Sequence, residues 1–288
     1  MTQNENPLVS TRWLSERLAD PDVRVVGATV HLEPGPEGLR AQSGRAEHDA
    51  GHIPGAGFLD LIEELADPSS DLAFTRPPRD RVERALSRAG ISREHHVVTY
   101  GASSDMWATR LWWILHASGL TRLSLLDGGL QKWKAEGRPL CSEPGDRPPE
   151  EFRAELDEER WATRQEVLDS IQAGGTCTIN ALPRAIHRGD AGLGYARPGH
   201  ITGSENVPFS DLVDAKTGSF LEPDELRRHF ARVGALERDR VITYCGGGIA
   251  ATLGAFALAL VGQPNVGVYD GSLSEWARDA SLPMQTGD

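Results

Sequence analysis

The sequence has few cysteines and none of the spacings that usually hold metals or cofactors. Cys141, Cys177 and Cys245 are the three cysteines among 288 residues, an odd number without a CxxC pair. This usage argues against a disulfide framework and against a zinc site, and it fits a reducing, cytoplasmic compartment. No dinucleotide-binding glycine fingerprint occurs either, so the sequence predicts neither a bound metal nor a cofactor.

Basic charge and long apolar runs are also lacking. The formal net charge is −12 and the isoelectric point is about 5.2, so we expect no nucleic-acid partner. No apolar run reaches the roughly 18 residues that a membrane span needs, and we expect no membrane partner. The first residues, MTQNENPLVSTRWL, do not read as a secretory signal. The 39% hydrophobic and 25% charged residues are typical of a soluble globular protein.

What the chain does contain is an internal repeat. Residues 97–133 and 241–276 share one pattern: a β-branched strand ending in Thr-Tyr, a loop, an apolar helix, a strand ending in Asp-Gly, and a helix with a tryptophan. The segment GHIPGAGFLDL, residues 51–61, is echoed by GHITGSENVPFSDL, residues 199–212. The same order at a slowly drifting offset predicts two copies of one domain.

Within each copy, short apolar strands alternate with helical stretches, which predicts an α/β fold with a parallel sheet. The stretch EGRPLCSEPGDRPPEEF is rich in proline and charge and has no regular period, so we expect a linker there. The predicted organisation is an N-terminal domain at 1–140, a linker at 141–158 and a C-terminal domain at 159–288.

The strongest functional signal is Cys245, which stands between the predicted strand RVITY and an apolar helix expected to begin near Ile249. Gly246, Gly247 and Gly248 lie between them. Such a loop can turn its N–H groups inward and form an anion-binding nest at a helix N-terminus. A sulfur at its centre is expected to exist as the nucleophilic thiolate. Gly246 and Gly248 are expected to need glycine, because of positive φ angles and crowding.

Two other interpretations of this corner exist, of which the first remains open and the second fails. Cys245 could be a small buried apolar residue at a glycine-rich turn. Cysteine phosphatases use a similar nest, but they place an arginine six residues after the cysteine, where this chain has Ala251. Phosphoryl transfer therefore lacks its main electrostatic clamp.

The chain resembles the tandem-domain rhodaneses, which are the thiosulfate and 3-mercaptopyruvate sulfurtransferases, over nearly its whole length. The resemblance rests on the motifs GHIPGA, GHITGSENVP, LLDGGLQKW, TYCGGGIAA and VYDGSLSEW. It implies two tandem rhodanese-like domains, each a small parallel sheet flanked by helices, with the active site between them. The C-terminal domain would be catalytic, because Gly101 takes the place of Cys245 in the N-terminal one.

The resemblance also implies the reaction. A small-molecule donor, 3-mercaptopyruvate or thiosulfate, would pass its sulfane sulfur to Cys245 as a persulfide, and cyanide or a thiol acceptor would remove it. The acceptor could be a small thiol or a thioredoxin-like protein. The loop residues Gly246, Gly247, Gly248, Ile249 and Ala250 would bind the donor. The loop is closer to the mercaptopyruvate type, Cys-Gly-Ser-Gly, but Gly247 replaces the serine.

Four further residues are candidates for donor binding by resemblance. Arg184, Arg188 and Arg197 lie where the family has an arginine-rich run, although at shifted positions, and one of them would bind the donor anion. His52 matches a histidine of the family's N-terminal domain and could face the site or hold its own turn. The alternative from another class is a non-catalytic rhodanese-like module that binds an anion or a protein.

Overall fold

The chain divides between two units, and the structure, a computed structural model, describes residues 6–35, 38–145, 147–192 and 194–287. Unit 1 comprises Met1–Ser69, Arg76–Asp157 and Lys216–Ser219. Unit 2 comprises Ser70–Thr75, Glu158–Ala215 and Phe220–Asp288. Each unit has its own sheet and its own helices, so each is described by itself.

The strands of unit 1 are β1 (Leu8–Val9), β2 (Val23–Gly27), β3 (Val30–Gly35), β4 (Gly38–Ser43), β5 (Gly57–Phe58), β6 (His96–Tyr100) and β7 (Leu123–Leu126). Its helices are α1 (Thr11–Ser15), α2 (Arg45–Ala50), α3 (Arg79–Arg88), α4 (Asp105–Ala117) and α5 (Gly129–Ala135). Five strands form a parallel sheet in the order β1-β7-β6-β2-β5, and β3 pairs with β4 as an antiparallel hairpin. Strands β2, β6 and β7 are buried throughout, as in parallel sheets covered by helices on both faces.

The strands of unit 2 are β8 (Trp161–Ala162), β9 (Thr176–Asn180), β10 (His200–Ile201), β11 (Glu205–Asn206), β12 (Arg240–Tyr244), β13 (Val266–Tyr269) and β14 (Met284–Gln285). Its helices are α6 (Arg164–Ala173), α7 (Arg184–Arg188), α8 (Pro223–Arg232), α9 (Ile249–Leu260) and α10 (Ser272–Trp276). Five strands form a parallel sheet in the order β11-β9-β12-β13-β8, and β10 pairs antiparallel with β14.

The two sheets have the same topology. Strands β1, β2, β5, β6 and β7 of unit 1 correspond in order to β8, β9, β11, β12 and β13 of unit 2. The predicted α/β fold with two parallel sheets flanked by helices is therefore confirmed, and the internal repeat in the sequence is a repeat of structure.

Helix α9 shows why the sequence folds as it does beside Cys245. Almost all of its residues are buried, because its composition, IAATLGAFALAL, is apolar on every side. Small side chains let it pack closely on the sheet, and it begins at Ile249, as the sequence predicts. Within the described ranges, no helix is long and apolar enough to cross a membrane.

The expected linker at 141–158 follows an ordered course along unit 1 over most of its described length. Cys141 and His52 exchange two backbone hydrogen bonds, of 2.9 and 3.0 Å. Farther along, the Asp157 N–H donates to the Ala117 carbonyl at 2.8 Å. The division between the two units falls after Asp157.

Candidate active site

Cys245 follows the last residue of β12 and lies just before α9. Strand β12 is the middle strand of its sheet, so the cysteine stands at the centre of the carboxyl edge, where open α/β sheets bind their ligands. The residue is only 3% exposed. The preceding Tyr244 is fully buried, and its hydroxyl accepts a hydrogen bond from the Ile201 N–H at 3.0 Å and lies 2.7 Å from Ser204 Oγ. The backbone that presents the thiol is therefore fixed from within unit 2.

Ser272, the first residue of α10, holds the loop closed. Its Oγ accepts hydrogen bonds from the backbone N–H groups of Cys245 and Gly248, both at 3.1 Å. The same hydroxyl donates to the Tyr269 carbonyl at 2.8 Å, and the side chain is completely buried. Its φ angle is +48°, a conformation that non-glycine residues rarely adopt. The Ser272 hydroxyl thus binds the first and last residues of the loop, Cys245 and Gly248, and also the last residue of β13.

Helix α10 also binds the loop's carbonyl groups. The Leu273 N–H donates to the Cys245 carbonyl at 3.1 Å, and the Ser274 N–H donates to the Gly246 carbonyl at 2.8 Å. The start of α10 therefore binds the loop at two carbonyls as well as through the Ser272 hydroxyl. This arrangement fixes the orientation of the peptide groups around Cys245.

Four N–H groups beside the thiol have no acceptor among the described residues: those of Gly246, Gly247, Ile249 and Ala250. Two of them begin α9, where the helix dipole is positive. The sequence also assigned Gly248 to donor binding, but its N–H is engaged by Ser272. The loop therefore offers a nest of unpaired donors next to a sulfur atom, which suits an anion or a developing negative charge.

The three glycines of the loop have different reasons to be glycine. Gly248 has a φ of +76°, as expected for a residue that needs positive φ. Gly246 does not have a positive φ, so that part of the expectation was wrong, but it is crowded: a Cβ there would overlap the Tyr195 hydroxyl. A Cβ on Gly247 would meet only Ser274 Oγ, at 3.8 Å, which is ordinary contact. The middle position of the loop therefore has room for a side chain.

Two of the predicted arginines keep exposed guanidinium groups. Arg184 lies 3.2 Å from an Asp211 carboxylate oxygen, and Arg188 lies 3.3 Å from one of Asp190. Their side chains are 68% and 47% exposed. Exposed ion pairs of this kind contribute little to stability.

Arg197 is engaged in another way. Its guanidinium donates to four backbone carbonyls, those of Trp276, Ala277, Asp279 and Leu282, at 2.6–3.0 Å. These bonds tie the segment before β10 to the turn after α10. The geometry favours a structural role for Arg197 over donor binding.

His52 lies in unit 1 with both ring nitrogens beside backbone carbonyls. Its Nδ1 is 2.7 Å from the His48 carbonyl and its Nε2 is 3.0 Å from the Glu143 carbonyl. In unit 2, His200 repeats this arrangement, with Nδ1 2.7 Å from the His187 carbonyl. The repetition favours the interpretation that His52 holds its own turn.

The other cysteines have different surroundings. Cys177 is buried within β9, and burial raises the pKa of its thiol to about 11, so it stays protonated and unreactive at neutral pH. Cys141 is partly exposed, with its sulfur 3.5 Å from His52 Nε2. Among the described residues, no group of three or more His, Cys, Asp or Glu side chains could hold a metal ion.

The corresponding corner of unit 1 is closed to a nucleophile. Gly101 takes the place of Cys245, and a Cβ there would lie 2.5 Å from the Ser104 carbonyl oxygen. The carboxyl of Asp105, the first residue of α4, lies against the Gly129 backbone, where a Cβ on that glycine would be 2.9 Å from Oδ1. Burial and the neighbouring Asp127 raise the pKa of Asp105 to about 8.

Sequence reasoning missed two residues of the site, Ser272 and Tyr195. For Ser272 the repeat offered a signal, because it aligns this serine with a glycine, Gly129. In the structure both residues have a positive φ, which is 52° at Gly129. For Tyr195 there was no signal, because it follows no periodic pattern and reaches Gly246 only through the folded chain.

Comparison with known proteins agrees with this geometry. The model of the rhodanese-like domain matches residues 10–136 and 179–279. The chain is 33% identical to the 3-mercaptopyruvate sulfurtransferase of Escherichia coli K12 over 281 residues, covering 96% of this chain and 97% of that protein. It is 34% identical to the thiosulfate sulfurtransferase of Mus musculus over 282 residues, covering 95% and 92%.

Solved structures give the same result. The crystal structure of SseA from Escherichia coli, described as a 3-mercaptopyruvate sulfotransferase with the rhodanese fold, matches with a TM-score of 0.80 and 29% identity. The match covers 93% of this chain and 99% of that one. The two parallel sheets, the two segments matched by the family model and the full-length relatives lead to one conclusion. This chain belongs to the rhodanese family and is a sulfurtransferase with two tandem rhodanese-like domains.

Proposed function

We propose that Cys245 is the nucleophile of this sulfurtransferase and carries sulfur as a persulfide. The observation that supports this most directly is the nest of four unpaired N–H groups, from Gly246, Gly247, Ile249 and Ala250, beside its sulfur. These dipoles stabilise negative charge on a thiolate and on the outer sulfur of a persulfide.

The transfer has two steps that balance in atoms and electrons. The Cys245 thiolate attacks the outer sulfur of the donor, the S–S or C–S bond of the donor breaks, and its electron pair leaves with the rest of the donor. With thiosulfate the products are the persulfide anion and sulfite. With 3-mercaptopyruvate they are the protonated persulfide and an enolate, which takes up a proton to become pyruvate. In the second step a thiol or cyanide attacks the outer sulfur and releases the Cys245 thiolate.

For the donor we propose a preference for 3-mercaptopyruvate over thiosulfate. The residues from Cys245 to Ala250 include no cation to bind a sulfonate dianion directly beside the sulfur. A keto acid needs one cation for its carboxylate, and the exposed Arg184 and Arg188 are the candidates. A charge-assisted hydrogen bond contributes about 1.5–3 kcal/mol, which corresponds to roughly tenfold to hundredfold in kcat/KM.

The acceptor we propose is a thiol, either a small thiol or a thioredoxin-like protein, with cyanide as a laboratory substitute. The three cysteines are unpaired in the structure, in keeping with a reducing cytoplasm as the site of action. The alternative of a non-catalytic binding module finds no support in the two relatives described above, both of which are named sulfurtransferases.

Mass spectrometry of the intact chain tests the nucleophile. After incubation with either donor, the wild-type protein should gain one sulfur atom on the peptide that contains Cys245. Cys245→Ser should gain none, while Cys141→Ser and Cys177→Ser should load as the wild type does. Steady-state kinetics with both donors should give a higher kcat/KM for 3-mercaptopyruvate.

Two results would contradict these proposals separately. Sulfur loading or turnover that survives in Cys245→Ser would mean that another residue is the nucleophile. A higher kcat/KM for thiosulfate in the unmodified protein would leave the nucleophile in place and overturn the donor preference.

A further inference from the structure

Tyr195 lies directly over the cysteine loop. A Cβ on Gly246 would overlap the tyrosine hydroxyl and lie 2.8 Å from Cζ, so the ring occupies the space that the glycine leaves open. Gly246 is the residue next to Cys245 in the chain. The hydroxyl therefore sits at the loop itself rather than elsewhere on the surface of unit 2.

The position of Tyr195 is fixed by its neighbours in the chain. Two residues later, Arg197 donates to four carbonyls between Trp276 and Leu282. Next, β10 starts at His200 and pairs with β14. The segment that bears Tyr195 is thus anchored to the turn that follows α10, the helix that also holds the cysteine loop.

The tyrosine hydroxyl has chemistry to offer a bound substrate. Its side chain is partly buried, and among the described residues the hydroxyl has no hydrogen-bond partner. Burial and the negative charge of Cys245 both raise the pKa of Tyr195, so the group remains protonated at neutral pH. It can therefore donate a hydrogen bond or a proton to a group bound at Cys245.

The residues that follow the nucleophile supply no hydroxyl for this, and the Ser274 hydroxyl lies beside Gly247 rather than beside Gly246. Positions 246 to 248 are glycines, and the Ser272 hydroxyl is occupied by two N–H groups and a carbonyl. A donor whose carbon loses its sulfur becomes an enolate and needs a proton. Sulfite, which leaves from thiosulfate, needs none in that step.

We propose that Tyr195 is a catalytic residue that protonates the carbon from which Cys245 removes sulfur. The proposal rests on the function proposed above. The thiolate takes the sulfur, the electron pair of the broken C–S bond goes to the carbon, and the Tyr195 O–H proton follows it, leaving a persulfide S–H and a tyrosinate. The more acidic persulfide then returns a proton to Tyr195, so no further reactant is needed.

Single-turnover loading of Cys245 from two donors tests this role. In Tyr195→Phe, loading from 3-mercaptopyruvate should slow by roughly a hundredfold or more, the usual contribution of a positioned general acid. Loading from thiosulfate should stay within about threefold of wild type, because its leaving group needs no proton. Tyr100→Phe is the matched control, because Tyr100 is the last residue of β6 in unit 1. Removing its hydroxyl should leave the loading rates from both donors unchanged.

The wild-type protein offers a second measurement that does not depend on a variant. Loading from 3-mercaptopyruvate should be slower in D2O than in H2O, and loading from thiosulfate should not be. An equal isotope effect with both donors would overturn the proposal.

The other possible outcomes of the Tyr195→Phe experiment also decide whether Tyr195 is a catalytic residue. Wild-type rates with both donors in Tyr195→Phe would remove Tyr195 from the mechanism and leave Cys245 as the nucleophile. Equal slowing with both donors would make Tyr195 a residue that only shapes the loop. If the wild-type protein took up sulfur from neither donor, the proposed function itself would fail, and this proposal with it.

Discussion

The Ser272 hydroxyl is the point at which the structure of the cysteine loop can be tested most sharply. Replacing Ser272 by alanine removes the acceptor for two buried N–H groups, those of Cys245 and Gly248, and the donor to the Tyr269 carbonyl. A buried group left without its partner costs about 1–3 kcal/mol. Counting the two N–H groups, we expect Ser272→Ala to lower the free energy of unfolding by roughly 2–6 kcal/mol.

A glycine at the same position should be less harmful than alanine. Ser272 has a φ of +48°, which alanine must also adopt at a cost of about 1 kcal/mol or more and glycine adopts freely. The added flexibility of the unfolded chain offsets part of this gain. We therefore expect Ser272→Gly to be more stable than Ser272→Ala by up to about 1 kcal/mol, against the usual order of these residues in a helix.

Urea unfolding of the full chain, followed by circular dichroism, gives the free energies. Ser274→Ala is a matched control in the same helix, expected within about 0.5 kcal/mol of wild type because only its backbone N–H binds the loop. Both Ser272 variants should also load sulfur more slowly. Wild-type stability in Ser272→Ala, or a glycine variant less stable than the alanine one, would refute the reasoning.

Two further predictions concern other parts of the molecule. Gly246→Ala should lower the free energy of unfolding by about 1–3 kcal/mol and remove most of the sulfur-loading rate, because its Cβ would overlap Tyr195. Gly247→Ala, measured in the same urea unfolding experiment, should stay within about 0.5 kcal/mol of wild type. Equal effects of the two substitutions would contradict the packing described. Asp105, with its pKa raised to about 8, stabilises the fold when protonated, so this stability is complete below about pH 4 and is lost as the pH rises through 8. Asp105→Asn should therefore gain on wild type by roughly 2–5 kcal/mol between pH 4 and pH 8 in urea unfolding, and a pH-independent difference would contradict it.

Much of the architecture could be predicted from the sequence because its signals are local or repeated. The apolar strands that end at Tyr100 and Tyr244, and the all-apolar helix from Ile249, follow from composition over a few residues. The repeat then implies the same sheet twice. The position of Cys245 between a strand and a helix is likewise a local pattern.

The rest of the site depends on contacts between residues that are distant in the sequence. Ser272 lies 27 residues from Cys245 in the sequence, and its alignment with Gly129 in the repeat does not reveal that its hydroxyl accepts hydrogen bonds from the loop. For Gly246, crowding could be expected from the loop, but the residue that causes it, Tyr195, could not be identified from any pattern within the loop. Arg184, Arg188 and Arg197 lie in the same basic stretch of the sequence and look alike there. Only the four backbone carbonyls that Arg197 binds in the structure distinguish it from the other two.

The closed corner of unit 1 has a consequence for any attempt to make both domains catalytic. A cysteine placed at Gly101 would strike the Ser104 carbonyl, and the carboxyl of Asp105 already stands at the start of the helix that follows. We therefore expect Gly101→Cys alone not to load sulfur, because the loop would have to move and the Asp105 carboxyl would remain beside it. A change of one residue would therefore not make the two domains equivalent at this corner, although their sheets have the same topology.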